Sequence, residues 1–349
     1  MLSPTLSARL DDVFRIGGGV GANRVGGTPG EDEAVDLAVS WFEAAGLEIE
    51  RDGRGNVVAR LRGSAPELPE VWTGSHLDSV PEGGRYDGAL GVVAGLAAVE
   101  TIGRSERTLA VAVFRDEETG CHGSRWRVRN APLPGFYVEL HVEQGPLLER
   151  AGAPLGVVSS IAGIVRSSRE FVGRADHAGT TPMDVRQDAL TAASEYVLEV
   201  RQRAAGIDGA VATVGQLEVF PGAVNVVPER VRLSVDARAP DSERLERLVA
   251  ELGLAEPHYR IPPVALSEEV RGILREEVKR LGLPVVELPS GAGHDAAPLG
   301  GAGVEAGMLF VRSLNGGASH SPQEYSSGED IALALEALTA TLRRLANAK

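Results

Sequence analysis

Short apolar runs that alternate with helix-length amphipathic segments limit most strongly what this chain can fold into. Val71–Gly74, Thr108–Phe114 and Phe136–Val142 are runs of this kind, and Gly88–Ile102 is one of the helical segments between them. This alternation is typical of an α/β protein with a mixed, mostly parallel sheet flanked by helices. Ligands of such sheets gather at the carboxyl ends of the strands. Acidic and histidine-containing blocks follow or overlap all three runs, so we expect a functional site there.

The middle third of the chain has a different pattern, which indicates an inserted α+β domain. We expect residues 156–263 to form it, and residues 1–155 and 264–349 to form the domain that carries the first pattern. The inserted domain is predicted to contain strands at Ser168–Gly173, Val211–Val219 and Val231–Ala237 and helices at Arg186–Ala204 and Asp241–Leu252. After it we expect helices at Leu266–Leu281 and Ser327–Ala346 and strands at Val285–Leu288 and Gly307–Val311.

Composition and charge exclude several classes of function. The chain has 349 residues, 43% of them hydrophobic, and a formal net charge of -14. An acidic chain without a basic cluster is a poor partner for nucleic acid. The single Cys121 cannot form an internal disulfide, and neither a signal peptide nor a membrane-spanning run is evident. We therefore expect a cytoplasmic protein with neither nucleic acid nor membrane as a partner.

Histidines are concentrated in the blocks that hold candidate metal ligands. Five of the seven lie in short glycine- or acid-rich segments at predicted element ends: His76, His141, His177, His294 and His320. A two-metal hydrolase needs a bridging carboxylate, terminal imidazole and carboxylate ligands, and a free carboxylate that moves protons. The same blocks supply such acids, so this chemistry is the leading hypothesis.

Each acid also has an ordinary structural interpretation. Asp78 can fix the ring of His76 by accepting its second N–H, or can cap a turn. Asp87 can cap the helix that follows it. Glu117 and Glu118 can be solvated loop residues, although adjacent acids at a strand end also allow one to bind metal while the other faces the reacting water.

The motifs together resemble the hydantoinase/carbamoylase family of amidases, within the wider M20 clan of metallopeptidases. The motifs that carry this resemblance are Gly74-Ser75-His76-Leu77-Asp78, Tyr86-Asp87-Gly88, Glu139-Leu140-His141-Val142-Glu143-Gln144-Gly145, Ser290-Gly291-Ala292-Gly293-His294-Asp295 and Ser319-His320-Ser321-Pro322. The resemblance implies a phosphorylase/hydrolase-like zinc exopeptidase fold whose inserted domain serves as a dimerisation and lid domain.

The resemblance also implies a role for each candidate residue. Asp87 would bridge two divalent metals, with His76 and His141 completing one site and Glu118 and His320 the other. Glu117 would be the general base, and Asp78 would support the ligands from behind. His177 would bind the developing oxyanion. The implied substrate-binding residues are Gln144, His177, Asn225, Arg238, Gly291 and His294.

The implied activity is hydrolysis of a C–N bond in a small ureido compound with a carboxylate, foremost an N-carbamoyl-L-amino acid. Zinc suits the mixed ligands, as do manganese, cobalt and nickel, and a homodimer is the expected assembly. Two other activities remain open: allantoate hydrolysis, and an M20-type dipeptidase or aminoacylase reaction. Residues 116–124 favour the peptidases, whereas His141 and Gln144 favour the amidases. A binding protein without turnover is a further alternative.

Overall fold

The computed structural model describes residues 3–348, which form two compact units. The first unit extends to Ser159 and resumes at Ala265, and the second comprises Ser160–Val264. Among the described residues, no helix is both long enough and apolar enough to span a bilayer.

The first unit alternates strands and helices along the chain. The elements of its first segment are α1 (Pro4–Arg15), α2 (Pro29–Ala44), β1 (Glu48–Arg51), β2 (Val57–Leu61), β3 (Val71–His76), α3 (Ala89–Ile102), β4 (Leu109–Phe114), α4 (His122–Asn130), β5 (Phe136–Val142), α5 (Leu147–Ala151) and β6 (Leu155–Ile161). Strand β6 continues past the boundary at Ser159.

The second unit contains most of the antiparallel strands, and the first unit resumes after it. The elements of the second unit are β7 (Gly163–Val172), a short 3₁₀ helix (Met183–Val185), α6 (Ala189–Ala205), β8 (Val211–Thr213), β9 (Leu217–Phe220), β10 (Arg230–Ala239), α7 (Ser242–Glu251) and β11 (Tyr259–Ile261). The chain then continues with β12 (Val264–Ala265), α8 (Glu268–Arg280), β13 (Glu287–Ser290), α9 (Ala296–Gly301), β14 (Glu305–Val311) and α10 (Gly328–Ala346).

A nine-stranded sheet in the order β1-β2-β4-β3-β5-β14-β6-β12 is the centre of the first unit, with β13 paired to β6. Its four middle strands, β4, β3, β5 and β14, run parallel, so their carboxyl ends share one edge. β1, β2 and β6 pair antiparallel around them. This mixed sheet with flanking helices confirms the α/β prediction.

Helix α3 explains much of the burial of the middle strands. It is buried on nearly all sides because it packs against the strands β3, β4 and β5 and against the helices α1 and α10. Covered strands lose the alternation of polar and apolar residues, and all six residues of β3 are buried. Leu96 is fully buried in this core, so its truncation to Ala would cost about 2–5 kcal/mol of folding stability.

The second unit is a five-stranded antiparallel sheet with α6 and α7 on one face. Its strand order is β11-β7-β10-β8, and β9 also pairs with β10. Along β10, Val231, Leu233, Val235 and Ala237 are buried while their neighbours are less so. This period of two is expected of a sheet that is covered on one face only.

Several element predictions need correction. The strand predicted at Ser168–Gly173 begins five residues earlier, at Gly163. The single strand predicted over Val211–Val219 is wrong, because β8 and β9 pair with different parts of β10. The predicted strand at Val285–Leu288 begins two residues later, at Glu287. The helix predicted from Arg186 begins at Ala189, because Asp188 accepts hydrogen bonds from Leu190 N and Thr191 N as its N-cap.

Candidate metal centre

The shared carboxyl edge of the parallel strands brings most of the predicted site residues together. β3 ends at His76, and His141 is the penultimate residue of β5. Glu117 and Glu118 follow β4, and His320 lies in the loop after β14. These residues come from four strands that are distant in sequence. Their convergence therefore follows from the parallel sheet.

The first group of candidate ligands is His76, Asp87 and His141, which are all buried. Asp87 Oδ1 lies 3.5 Å from His76 Nε2 and 3.2 Å from His141 Nε2. The His76 and His141 rings are stacked with their centroids 5.8 Å apart. Two imidazole nitrogens and one carboxylate oxygen thus face a common point.

The other ring nitrogens show that this group suits a cation. His141 Nδ1 lies 2.9 Å from the carbonyl of Val142, and His76 Nδ1 lies 3.2 Å from that of Asp78. A ring that donates its proton to a carbonyl keeps a lone pair on the opposite nitrogen. Both Nε2 atoms would then be acceptors that face the acceptor Oδ1 of Asp87. A metal ion satisfies such a set of lone pairs, so the donor set fits the implied group.

The second group consists of Asp87, Glu118 and His320. His320 Nε2 lies 3.5 Å from Asp87 Oδ2 and 3.3 Å from Glu118 Oε2. The side chain of His320 is 51% exposed, whereas that of Glu118 is 8% exposed. The two oxygens of Asp87 therefore face different groups, as a bridging carboxylate requires.

Asp87 does not cap the following helix. Helix α3 has Gly88 at its N-cap and no side-chain cap hydrogen bond. Gly88 has a φ of 62°, and a Cβ there would lie 2.5 Å from the His76 ring. Only glycine accommodates both this backbone conformation and this close approach. The Tyr86-Asp87-Gly88 motif is thereby explained by the packing of His76.

Asp78 connects the first histidine to the pair of glutamates. Its Oδ1 lies 3.4 Å from His76 Nδ1. Its two oxygens also accept hydrogen bonds from the backbone N–H groups of Glu117, at 3.1 Å, and Glu118, at 3.0 Å. One buried carboxylate thus holds both the ring of a candidate ligand and the loop of the predicted base.

Glu117 is buried beside the first group and points one oxygen towards it. Its Oε2 lies 3.7 Å from His76 Nε2. Its Oε1 accepts a hydrogen bond from the thiol of Cys121 at 3.4 Å. Burial, followed by the charge of Asp295, raises the pKa of Glu117 well above its ordinary value, although His76 opposes the shift. A carboxylate of this kind takes up a proton more readily than an exposed one.

Electrostatics at the centre favour added positive charge. Burial lowers the pKa of His76, but the charge of Glu117 and contacts with Asp78 and Asp87 outweigh it and raise the pKa well above its ordinary value. The contact with Glu118 raises the pKa of His320 to about 9. Carboxylates that attract a proton to these rings would attract a divalent cation in the same way.

Comparison with known proteins is consistent with this geometry. The sequence model of peptidase family M20/M25/M40 matches residues 72–344. The N-carbamoyl-L-amino acid amidohydrolase of Geobacillus stearothermophilus is 36% identical over 93% of this chain and 94% of its own length. The allantoate amidohydrolase of Bacillus subtilis is 34% identical over 90% of this chain and 89% of its own length. A hydantoinase/carbamoylase family amidase from Burkholderia multivorans superimposes with a TM-score of 0.88 at 30% identity and covers 99% of this chain and 98% of its own.

The chain belongs to peptidase family M20/M25/M40. Within the M20 family it is a hydantoinase/carbamoylase amidase, a hydrolase of C–N bonds other than peptide bonds. The resemblance drawn from the sequence motifs is confirmed at this level.

Three predicted substrate residues of this M20 amidase lie in the first unit. Gln144 Nε2 donates to Asp87 Oδ2 at 2.8 Å and lies 3.4 Å from His320 Nε2, so Gln144 lies at the second ligand group. Gly291 is exposed in the loop after β13. His294 is buried, with its ring centroid 4.6 Å from that of His141 and its Nε2 2.8 Å from the Ser290 hydroxyl. His294 therefore packs behind a candidate ligand.

The other three predicted residues lie in the second unit. His177 and Asn225 are exposed and adjacent, because Ala178 N donates to the Asn225 carbonyl at 3.0 Å. His177 Nδ1 accepts from Gly179 N at 3.0 Å. That contact leaves the ring proton on Nε2, which can donate.

Arg238 lies on β10 and is paired with a carboxylate of its own strand. Its Nε and Nη2 donate to Asp236 at 2.8 and 3.2 Å. Asp236 also accepts from Arg166 Nε at 2.8 Å. The guanidinium of Arg238 is thus held in a defined orientation.

Sequence reasoning missed several buried polar residues around the centre. Glu139 accepts from the Ser75 hydroxyl at 2.7 Å and from Ala296 N at 2.9 Å. Burial and the charge of Glu139 raise the pKa of Asp295 to about 8. Burial and the charge of Asp87 raise the pKa of Glu324 to about 7. The available signal was that each acid lies in or directly beside a motif that supplies a candidate residue.

Proposed function

We propose that this M20 amidase is a metal-dependent hydrolase of small ureido compounds that carry a carboxylate, with N-carbamoyl-L-amino acids as its substrates. The observation that carries the proposal is the sharing of Asp87 between two groups of ligating side chains. Mixed imidazole and carboxylate donors suit zinc, and also manganese, cobalt or nickel. Two divalent ions per chain are the stoichiometry that these two groups support.

The two ions would supply an activated water and polarise the substrate carbonyl. His76 and His141 would hold one ion and Glu118 and His320 the other, with Asp87 between them. Glu117 would accept the proton of the attacking water at Oε2 and pass it to the leaving nitrogen. Its burial and its position 3.7 Å from His76 Nε2 support this role.

The second unit would bind and polarise the substrate. An Nε2–H on His177 can donate to the oxygen that becomes negative in the transition state. Arg238 and Asn225 would bind the substrate carboxylate, and a guanidinium can do so through two parallel hydrogen bonds. The pairing of Arg238 with Asp236 would orient it for this contact.

The named relatives support the ureido class without selecting one substrate. N-carbamoyl-L-amino acid amidohydrolases are 36%, 34% and 33% identical to this chain. The Bacillus subtilis allantoate amidohydrolase, at 34%, makes allantoate the second candidate. Both substrates carry a ureido carbonyl and a carboxylate, so the same residues would serve either one.

A homodimer formed through the second unit is part of the proposal. Val211 on β8, Leu217 on β9 and Leu198 on α6 are 55%, 42% and 64% exposed. Exposed apolar side chains near a sheet edge favour association. Light scattering of the purified protein tests the assembly, and a monomer at working concentration would contradict it.

A substrate panel on metal-reconstituted enzyme tests the activity. N-carbamoyl-L-amino acids should be hydrolysed with the highest kcat/KM, followed by allantoate, with dipeptides and N-acetyl amino acids poor. A preference for dipeptides would reassign the chain to the peptidase branch. Absence of turnover on the whole panel, with two metals bound, would identify a binding protein. Elemental analysis of the same sample gives the metal stoichiometry.

A further inference from the structure

One buried carboxylate that the sequence motifs did not single out connects the two halves of the second ligand group. Glu324 is 4% exposed and lies in the loop that carries His320. Its Oε1 accepts hydrogen bonds from Tyr86 N at 2.7 Å and Asp87 N at 3.1 Å. Its Oε2 accepts from the hydroxyl of Ser319 at 3.0 Å. Glu324 therefore contacts the backbone of one candidate ligand and the residue next to another.

The surroundings of Glu324 leave it little freedom. A Cβ on Gly84 would lie 2.1 Å from Glu324 Cδ, so the chain before Asp87 approaches the carboxylate as closely as a glycine allows. Glu324 N donates to the Ser321 carbonyl at 3.1 Å, and Leu314 N donates to the Tyr325 carbonyl at 2.8 Å. These bonds close the loop at its base and keep the carboxylate turned towards Asp87.

His320 depends on this loop more than the other histidines depend on theirs. His76 and His141 are each 1% exposed and are fixed by burial and by contacts of their Nδ1 atoms. The His320 side chain is half-exposed, and the contacts of its ring with Asp87, Glu118 and Gln144 are all made at Nε2. The course of its backbone therefore contributes strongly to the position of its ring. The Ser319–Glu324–Asp87 connection relates that backbone directly to the shared carboxylate.

We infer that Glu324 is a positioning residue that sets the affinity of the second ligand group for its metal by fixing His320 relative to Asp87. This inference rests on the proposed two-metal function. Glu324 contacts no candidate ligand atom, so its removal should leave the first group, His76, Asp87 and His141, able to bind metal. Residues that orient metal ligands in this way typically change metal affinity by about 10–100-fold when they are removed.

The experiment is a calorimetric Zn²⁺ titration of metal-free protein, with elemental analysis after dialysis. Wild type should show two classes of site. Glu324→Ala should keep the tight class and weaken the second by about 10–100-fold, with kcat restored at saturating metal. Glu324→Gln should stay within a few-fold of wild type, because its amide oxygen can accept from Tyr86 N and Asp87 N and its amide nitrogen can donate to the Ser319 hydroxyl. Ser319→Ala, which removes only the link to the His320 backbone, should fall between the two.

Glu149→Ala is the matched control for general loosening of the loop. Glu149 Oε2 accepts from Gly316 N at 2.9 Å in the same loop, at a position away from Ser319 and Asp87. Its removal should leave both metal affinities unchanged. Equal losses in Glu149→Ala and Glu324→Ala, or loss of the tight site in Glu324→Ala, would overturn the inference.

The experiment also separates this inference from the proposed function. A wild-type protein that binds fewer than two ions contradicts the two-metal proposal itself. A wild type with two ions and a Glu324→Ala variant with unchanged second affinity contradicts only the role of Glu324. If a thermal melt shows that Glu324→Ala does not fold, the inference is tested by comparing Ser319→Ala with Glu324→Gln. Equal Zn²⁺ affinities of the second site in these two variants would overturn it.

Discussion

The predicted site residues of the first unit are mostly buried and mutually connected, whereas those of the second unit are exposed or half-buried. His76, Asp78 and Glu117 contact one another within one buried network. His177 and Asn225 lie at the surface of the second unit. The difference agrees with the two proposed roles, since a metal centre would need ligands that are fixed before metal binds, while substrate residues would have to stay accessible. Variants of the two sets should therefore fail in different measurements.

The largest expected effect is that of Glu117→Gln. The amide has the size of the carboxylate but cannot accept the proton of the attacking water, so kcat should fall by on the order of 10²–10⁴. Metal content should stay at the wild-type value. Glu118→Gln is the control, and it should lose metal. If Glu117→Gln lost metal and Glu118→Gln kept it, the two glutamates would exchange roles.

His177→Ala should lower kcat by on the order of 10²–10³, the usual cost of one oxyanion donor. The resemblance to the amidase family implies that His177 and Asn225 act in the partner's active site and Arg238 in that of its own chain, and we keep this as a prediction. Co-refolding the His177→Ala and Glu117→Gln proteins should then restore activity, up to about a quarter of wild type, because about half of randomly assorted dimers are mixed and each has one competent site. Verified heterodimers without activity would place His177 in its own chain's site.

Asp78→Asn should weaken metal affinity or kcat by about 10–100-fold, as expected for a residue that orients metal ligands. One acceptor oxygen is lost, so the backbone N–H of either Glu117 or Glu118 loses its partner. Asp52→Asn is a control for the substitution itself, because Asp52 Oδ1 accepts both of its backbone N–H groups, from Arg54 at 2.9 Å and Asn56 at 3.1 Å, and an amide oxygen can keep both. Equal metal affinities together with equal kcat values in the two variants would contradict this role of Asp78.

Arg238→Lys should raise KM by about ten-fold, roughly 1.4 kcal/mol of binding, with kcat little changed. An ammonium cannot form the two parallel hydrogen bonds that a guanidinium forms with a carboxylate. Arg166→Lys is its control, because Arg166 shares the partner Asp236 and has no predicted substrate role. If KM rose equally in both variants, the increase would come from their shared partner Asp236 and not from a contact between Arg238 and the substrate.

The smallest effect is expected for Asp236→Asn, which should lower the free energy of unfolding by about 1 kcal/mol at neutral pH. Burial raises the pKa of Asp236, but Arg238 and Arg166 outweigh it and hold the pKa below its ordinary value of 3.8. The charged side chain therefore stabilises the fold above pH 3.8, and this contribution is lost as pH falls through the lower folded-state pKa. Denaturant unfolding should show the difference from wild type narrowing over that acidic range. A constant difference would indicate loss of packing alone.

The sequence predicted the sheet well where burial alone determines the pattern. Nearly every residue of β3, β4 and β5 is buried, so their mainly apolar sequences could be recognised as strands. The helix α1 was missed. The strands β8 and β9 were merged, because short exposed strands carry no such apolar run. Binding roles could be proposed from motifs that resemble the amidase family. The contact of Asp78 with the His76 ring was also proposed, from their spacing of two residues. The contacts of Asp78 with Glu117 N and Glu118 N, and those of Glu324, could not be proposed, because hydrogen bonds to backbone N–H groups distant in sequence leave no local pattern.

The packing of Gly88 against His76 has a consequence for how this site can vary. A residue without any chemistry of its own should be as intolerant of replacement as a metal ligand, since even alanine would place a methyl group inside the imidazole's volume. A saturation library selected for activity should therefore be depleted at position 88 as strongly as at position 76. Searches for altered substrate range are better directed to the exposed loops around residues 177 and 225, where new side chains displace only water.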